Sequence, residues 1–207
     1  MTISATTRGL RPGVCTSTTR PSSPFDGQLI YETDTNRVAV YDTSSWVYKT
    51  PASTTGSVLQ VVSTTKTDVF TTTSTTFVDV TGLSVSITPS SASSKILVLG
   101  SIKFGFTGGA SATHMRLVRD STAIFIGDAD GVRSRDSGYV RDTYESPNSS
   151  IVFLDSPSTT SAVTYKIQLS TYDVSRTAIV NRDYENTNSA TLSSRLASTV
   201  TVMEIAG

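Results

Sequence analysis

Residues able to support hydrolysis are abundant in this chain, but their spacing is wrong for catalysis. Serine and aspartate are common and His114 is the single histidine, so a Ser-His-Asp hydrolase is the first chemistry to test. Such a triad usually holds its serine on a strained G-x-S-x-G elbow, and the sequence has no such motif. Strand-like alternation in HMRLVRD places His114 on the same side as Arg116 and Val118. We therefore expect a structural His114 and a non-enzymatic protein.

A second chemistry to consider is binding of a hard cation. Asp128, Asp130 and Asp136 lie close together in sequence, and Asp-x-Asp-Gly is how a calcium loop begins. The glycine comes too early for an EF-hand, the closing glutamate is missing, and two nearby arginines would neutralise the carboxylates. We expect a solvated loop with local ion pairs and no metal. No phosphate loop or cysteine pair is present, Cys15 has no accompanying base, and we expect no cofactor.

Arginine and tyrosine concentrate in two long polar segments, near 127–149 and 173–188. Binding residues are often carried by loops on a rigid scaffold, and both side chains are enriched at interfaces. The candidate recognition residues are Arg133, Arg135, Tyr139, Arg141 and Tyr144 in the first segment, and Arg176, Arg182 and Tyr184 in the second. The alternative is a mixed-charge surface or a contact between subunits.

Composition excludes several classes of protein. The 207 residues carry 17 basic and 17 acidic side chains, so we expect no nucleic acid partner. Charged residues are only 16%, while serine and threonine make up about a third, a mixture that favours β-strands with solvated turns. No apolar run approaches the length of a membrane helix, and the start lacks the pattern of a secretion signal. We expect a soluble protein without membrane insertion.

The pattern of apolar residues predicts an all-β fold. No helical stripe persists, whereas Leu83, Val85 and Ile87 alternate with polar residues as in a strand with one solvated face. About ten such strands follow residue 58, which is typical of a β-sandwich or jelly roll. The predicted plan is an extended arm over 1–24, a small β meander over 25–50, a linker over 51–57 and a jelly roll over 58–207.

The predicted meander is too small to be stable by itself. Its strands are short, with turn residues Asp26-Gly27 before the first and Asp34 to Asn36 after it. Within it we predict alternation around Leu29 and Tyr31 as the half-buried positions. The apolar residues predicted to dock on a partner are Leu29, Tyr31, Val38, Tyr41 and Trp46.

Two groups of motifs resemble known proteins. The segment RPSSPFDGQLIYETDTNRVAVYD…SWV resembles one found near the N-terminus of fibre and appendage proteins of tailed bacteriophages. The phrases FTTTSTTFVDVTGLSVSITPSSASSKILV, RLVRDSTAIFIGD and TVMEIAG resemble C-terminal domains of phage fibre proteins, whose layout is similar to jelly-roll trimers of the C1q and tumour-necrosis-factor type. The resemblance implies a homotrimer in the virion, assembled in the host cytoplasm, with residues 1–49 bound to tail, baseplate or capsid proteins.

Three functions are compatible with the predicted fold and the resemblance. The first is a short fibre or receptor-binding appendage, with a host-surface glycan as a further partner. The second is a capsid decoration (cement) protein that stabilises the head. The third is a secreted lectin-like carbohydrate-binding domain, which the missing secretion signal disfavours.

Overall fold

The structure is a computed structural model that describes residues 12–49, 55–107, 111–141 and 146–207. In these ranges fifteen strands and no helix are present, which confirms the predicted all-β class. Accordingly, none of the described residues belongs to a helix long and apolar enough to cross a membrane. The chain divides into two compact units, Met1–Thr54 and Thr55–Gly207.

The first unit is a four-stranded sheet. Its strands are β1 (Gly13–Cys15), β2 (Leu29–Glu32), β3 (Arg37–Asp42) and β4 (Ser45–Tyr48), in that spatial order. The hairpins are antiparallel, whereas β1 runs parallel to β2 and comes from the segment predicted as an extended arm. Asn36 has a φ of 55°, which suits asparagine in the tight turn between β2 and β3.

The buried face of this first sheet is the reverse of the predicted one. Ile30 and Ala39 are cross-strand partners and are fully buried, whereas Leu29 is 49% exposed. Glu32 is buried on the same side as Ile30, where the Arg20 guanidinium and the Tyr48 hydroxyl donate hydrogen bonds to its carboxylate. The buried ion pair therefore determines which face of this sheet is buried, and apolar alternation alone did not predict that face.

The second unit is a β-sandwich of two mostly antiparallel sheets. Its strands are β5 (Val58–Lys66), β6 (Phe70–Thr72), β7 (Val78–Ile87), β8 (Lys95–Thr107), β9 (Ala112–Arg119), β10 (Thr122–Ile124), β11 (Gly138–Arg141), β12 (Asn148–Asp155), β13 (Val163–Thr171), β14 (Thr177–Val180) and β15 (Ser198–Ile205). The five-stranded sheet has the order β10-β9-β13-β7, with β11 also paired to β9. The six-stranded sheet has the order β5-β15-β8-β14-β6, with β12 also paired to β8.

The core lies between these two sheets. On β7 the alternation is as predicted, because Leu83, Val85 and Ile87 are buried and the intervening serines are exposed. The largest fully buried side chains are Tyr165 on β13 and Phe104 on β8. The Tyr165 hydroxyl donates to Asp155 at 2.7 Å; burial, together with this hydrogen bond, raises the pKa of Tyr165. This contact joins β12 of one sheet to β13 of the other.

Asn181, directly after β14, organises a buried polar junction. Its φ is 65°, and its Nδ2 donates to the backbone oxygens of Lys66 at 2.8 Å and Asp68 at 3.1 Å. Its Oδ1 accepts a 2.6 Å hydrogen bond from the Ser198 hydroxyl. One side chain thus satisfies three groups from two separate segments in a backbone conformation that asparagine tolerates.

Asn181 contributes to stability through its hydrogen bonds and through its tolerance of a left-handed backbone, and substitution should separate the two. Asn181→Ala removes the three hydrogen bonds and adds left-handed strain, so the free energy of unfolding should fall by about 3 kcal/mol. Asn181→Gly removes the hydrogen bonds alone and should cost about 1 kcal/mol less than alanine. Urea denaturation of both variants measures the difference. Equal costs for the two would contradict the strain component.

Candidate interaction surfaces

The first predicted recognition segment places an aromatic and charged cluster on the outer face of the five-stranded sheet. Tyr139 on β11 lies opposite His114 on β9, with the two ring centroids 5.0 Å apart. His114 Nδ1 is 2.6 Å from Asp136 Oδ2, and the Ser134 hydroxyl donates to Asp136 Oδ1 at 2.7 Å. In this arrangement Ser134 contacts the carboxylate instead of the imidazole, so it lacks the serine–histidine hydrogen bond that a triad requires.

Arg116 extends the same cluster along β9. Its Nε donates to the backbone oxygen of Arg135 at 2.8 Å, and its guanidinium carbon lies 3.8 Å from the centroid of the Phe77 ring. Gln168 on β13 is its cross-strand neighbour. Backbone bonding and a cation–π contact therefore hold the guanidinium in place.

The three aspartates considered for a cation separate into different contacts. Asp130 pairs with Arg133 at 2.6 Å, Asp136 bonds His114, and Asp128 is exposed. Among the described residues, no group of three or more His, Cys, Asp or Glu side chains is placed to hold a metal ion.

The second predicted recognition segment is divided by β14, with a turn at 173–176 before the strand and a polar loop after it. Arg182 is partly buried and its Nη1 donates to the backbone oxygen of Asp183 at 3.1 Å; burial lowers the pKa of this guanidinium. Arg176 closes a turn on Asp173, and Tyr184 lies further along the loop. A pocket of about 490 Å³ is lined by residues 186–190 and 193–195, which the arginine and tyrosine pattern did not identify. Arg141 ends β11, away from this loop in sequence, and Tyr144 lies outside the described residues.

The outer face of the six-stranded sheet carries an apolar stripe that sequence analysis missed. Cross-strand register aligns Leu154, Leu97, Met203 and Val61 in one row across β12, β8, β15 and β5. The next row begins with Val152 and Leu99 and continues with hydroxyl side chains. We call the six residues Val61, Leu97, Leu99, Val152, Leu154 and Met203 the apolar stripe.

Half of the apolar stripe is exposed in the single chain, while Leu97, Leu99 and Met203 are half-buried. Val61 is 55% exposed, Val152 is 67% exposed and Leu154 is 54% exposed, although each lies within a well-paired strand. Soluble monomers rarely leave a continuous row of large aliphatic side chains uncovered. The sequence does contain an indication of this second apolar face. KILVLG and IVFL are apolar at successive positions, as expected for strands covered on both faces.

A second exposed apolar feature lies at the open edge of the sandwich. Phe125 follows β10 with a φ of 52° and packs against Phe153 of β12, with ring centroids 5.3 Å apart. A bulky residue in this left-handed region is strained, by about 1–3 kcal/mol. Phe125 is still 39% exposed, beside a cleft of about 790 Å³ that Ile124 and Ile126 also line. Strain and exposure together favour a role in binding.

The first unit has an apolar face of its own. Cross-strand register places Val14, Leu29, Tyr31, Val38, Val40 and Val47 on one side of its sheet, and we call these six the meander face. Of the five residues predicted to dock, Leu29, Tyr31 and Val38 lie on this face. Tyr41 and Trp46 lie on the opposite side, as an edge-to-face pair with centroids 5.5 Å apart. The predicted docking set therefore divides between two faces.

Comparison with known proteins gives little further guidance. No protein-family model and no curated protein matches the chain. Among solved structures, it is similar to the infectious bursal disease virus Gx strain structure at 11% identity and a TM-score of 0.38, covering 80% of this chain and 45% of that one. It is similar to the VP2 subviral particle of the same virus at 11% identity and a TM-score of 0.32, covering 90% and 49%. The chain spans about half the length of both, and likenesses this weak say nothing about function.

Proposed function

We propose that the chain is a non-enzymatic structural protein of a tailed phage virion, specifically a short trimeric fibre or receptor-binding appendage. The observation that carries the proposal is the apolar stripe, an aliphatic surface on a complete, well-paired sheet. The resemblance of both units to phage fibre and appendage segments supports the same role. In this proposal the second unit forms the trimer and the first unit anchors it.

The apolar stripe suits an interface between copies of this chain. An interface in a homo-oligomer has an apolar centre and a polar rim, and the stripe is bordered by hydroxyl residues such as Ser63, Thr199 and Thr201. Full burial of an exposed large aliphatic side chain contributes about 1.5–3 kcal/mol, so covering Val61, Val152 and Leu154 alone provides a substantial driving force.

A cyclic trimer requires two different surfaces on each subunit, because its interfaces are head-to-tail. The apolar stripe provides one of them. The strained Phe125 with Phe153 provides the other, since it is an exposed aromatic edge on the same unit. Each stripe would then receive the aromatic edge of the neighbouring copy.

Anchoring is assigned to the meander face. Val14, Leu29 and Val47 are 54%, 49% and 37% exposed, so their apolar area is available to a virion partner. The partner would be a tail, baseplate or capsid protein with a complementary apolar surface. Because the second unit has its own core, its trimer should form without the first unit.

Substituting the meander face should detach the protein from particles. We expect Leu29→Lys with Val40→Lys to reduce incorporation about tenfold or more, because two buried charges oppose docking. Deletion of residues 1–49 should have the same effect and leave a soluble trimer. Quantitative mass spectrometry of purified particles measures incorporation, and Lys substitution of the exposed Ser22 and Ser23, which lie between β1 and β2 outside the strands, serves as the control.

The same measurement gives the copy number, which tests the fibre assignment. A handful to a few dozen copies per particle is expected for an appendage. Hundreds of copies would instead identify a capsid decoration protein. Normal incorporation of the 1–49 deletion would contradict the anchoring role of the first unit.

A further inference from the structure

The outer face of the five-stranded sheet carries a cluster beside the aromatic edge assigned to the trimer, and its Asp136 lines the same cleft as Phe125. It consists of Tyr139, His114, Asp136, Arg116 and Phe77. This sheet packs its other face into the core, and the apolar stripe lies on the opposite sheet. Tyr139 and Arg116 do not line the cleft beside Phe125, so they would remain accessible in the assembly proposed above.

Two of its groups remain available to a ligand. Tyr139 is 51% exposed, and its ring is supported from one side by His114. Arg116 is bound through Nε to the Arg135 backbone, and within the described ranges neither Arg116 nor Arg135 has a carboxylate partner. By contrast, Arg119, Arg133 and Arg20 are each paired with a carboxylate.

The acidic member of the cluster is engaged by its neighbours. Asp136 is hydrogen-bonded to His114 and Ser134 and is only 11% exposed, so its oxygens are largely shielded from a ligand. Arg116 and Arg135 outnumber this one carboxylate, and guanidinium groups bind carboxylate or phosphate through paired donors.

We propose that this cluster binds an acidic saccharide, with the sugar ring on Tyr139 and its carboxylate or phosphate on Arg116. The C–H face of a pyranose packs on an aromatic ring, while its hydroxyls and acid group require fixed polar partners. His114, Asp136 and Arg116 are held by their own contacts before a ligand arrives, which lowers the entropic cost of binding. The inference rests on the proposed function, because it names the receptor class of the appendage.

A protein partner fits this face poorly. A stable protein interface covers about 800 Å² on each side around an apolar centre. Here the neighbouring outward residues are polar, including Thr164, Lys166 and Gln168 on β13. A polar surface with an exposed aromatic ring at Tyr139 matches a saccharide better. The neutral charge of the whole chain also disfavours a nucleic acid.

The test uses the full-length protein with three immobilised polymers: a uronate-bearing capsular polysaccharide, a phosphate-bearing teichoic acid and neutral dextran. We expect one acidic polymer to bind and dextran not to bind. Tyr139→Ala and Arg116→Gln should each weaken binding about tenfold or more, whereas Arg116→Lys should keep part of it. Phe25→Ala, an exposed aromatic of the first unit, and Arg176→Gln, in the loop between β13 and β14, are the matched controls and should bind within about twofold of the original protein.

Several results would overturn the inference. These are equal binding to dextran, no binding to either acidic polymer, or normal binding by both cluster variants. Adsorption to host cells that is abolished by protease and survives periodate would identify a protein receptor instead. Thermal unfolding of each variant separates lost binding from lost folding. Trimer formation and particle incorporation, measured on the same preparations, test the proposed function independently and can hold when this inference fails.

Discussion

Leu97→Asp is expected to convert the trimer into a folded monomer. Leu97 lies at the centre of the apolar stripe, between Leu154 and Met203 in one cross-strand row. In the single chain its side chain points away from the core, so a carboxylate there remains solvated. In a trimer the same carboxylate would be buried without a partner in three symmetric copies, at a cost of several kcal/mol each.

Mass measured by light scattering after size exclusion provides the readout. Ser84→Asp is the matched control, because Ser84 is exposed on the outer face of the other sheet, opposite Lys166. It adds the same charge and should leave the trimer intact. Unchanged mass for Leu97→Asp, or a monomeric original protein, would contradict the assigned interface.

The apolar stripe illustrates what the sequence could not provide. The apolar character of KILVLG indicates a strand covered on both faces, but does not say whether the second cover comes from this chain or another. The row also depends on register between distant segments, since Leu97 and Met203 are more than a hundred residues apart. Alternation within one strand predicted the inner face, as Leu83, Val85 and Ile87 demonstrate, and could not assemble the outer one.

The meander face illustrates a different limit. Leu29 and Ile30 are both apolar, so alternation alone does not decide which one is buried. The decision is made by Glu32, whose carboxylate needs Arg20 and Tyr48 on the same side as Ile30. The docking residues predicted from the apolar pattern of the meander were consequently divided between two faces.

Only some members of the recognition cluster could be predicted, because the others depend on contacts between segments distant in sequence. Tyr139 could be selected because it is an aromatic residue in a polar segment. Arg116 was expected on the same face as His114, but its contact with Phe77 joins β9 to the residue directly before β7, which is distant in sequence. Only the sheet order brings those side chains together.

Glu204 is a fully buried carboxylate near the end of β15, and its contacts tie the end of the chain to earlier segments. Gln60 Nε2 donates to Oε2 at 2.6 Å, and the backbone and hydroxyl of Ser90 both donate to Oε1 at 2.7 Å. Burial alone would raise the pKa of Glu204, but these hydrogen bonds outweigh it and lower the pKa to about 2. The folded state therefore prefers the ionised form.

The second unit should consequently lose stability in acid through this residue. Because the folded pKa lies below the unfolded value of about 4.5, the contribution of Glu204 is complete above that pH. It declines as the pH falls toward about 2, where the folded carboxylate accepts a proton. Glu204→Ala should lower the free energy of unfolding at pH 7 by about 3 kcal/mol, since it leaves the Gln60 and Ser90 donors unpaired.

Glu204→Gln removes the charge of this side chain and keeps its shape. The amide keeps an acceptor for Ser90 but cannot titrate, so stability at pH 7 should fall less than in alanine, and its dependence on pH between about 4.5 and 2 should become shallower. Asp79→Asn is the matched control, because that carboxylate is 53% exposed and paired with Lys166 at the surface, where ion pairs contribute little. Urea denaturation across this pH range compares the three variants. If the free energy of unfolding of Glu204→Gln depends on pH as it does in the original protein, the acid sensitivity of the second unit comes from another residue, because no proton uptake could then be attributed to Glu204.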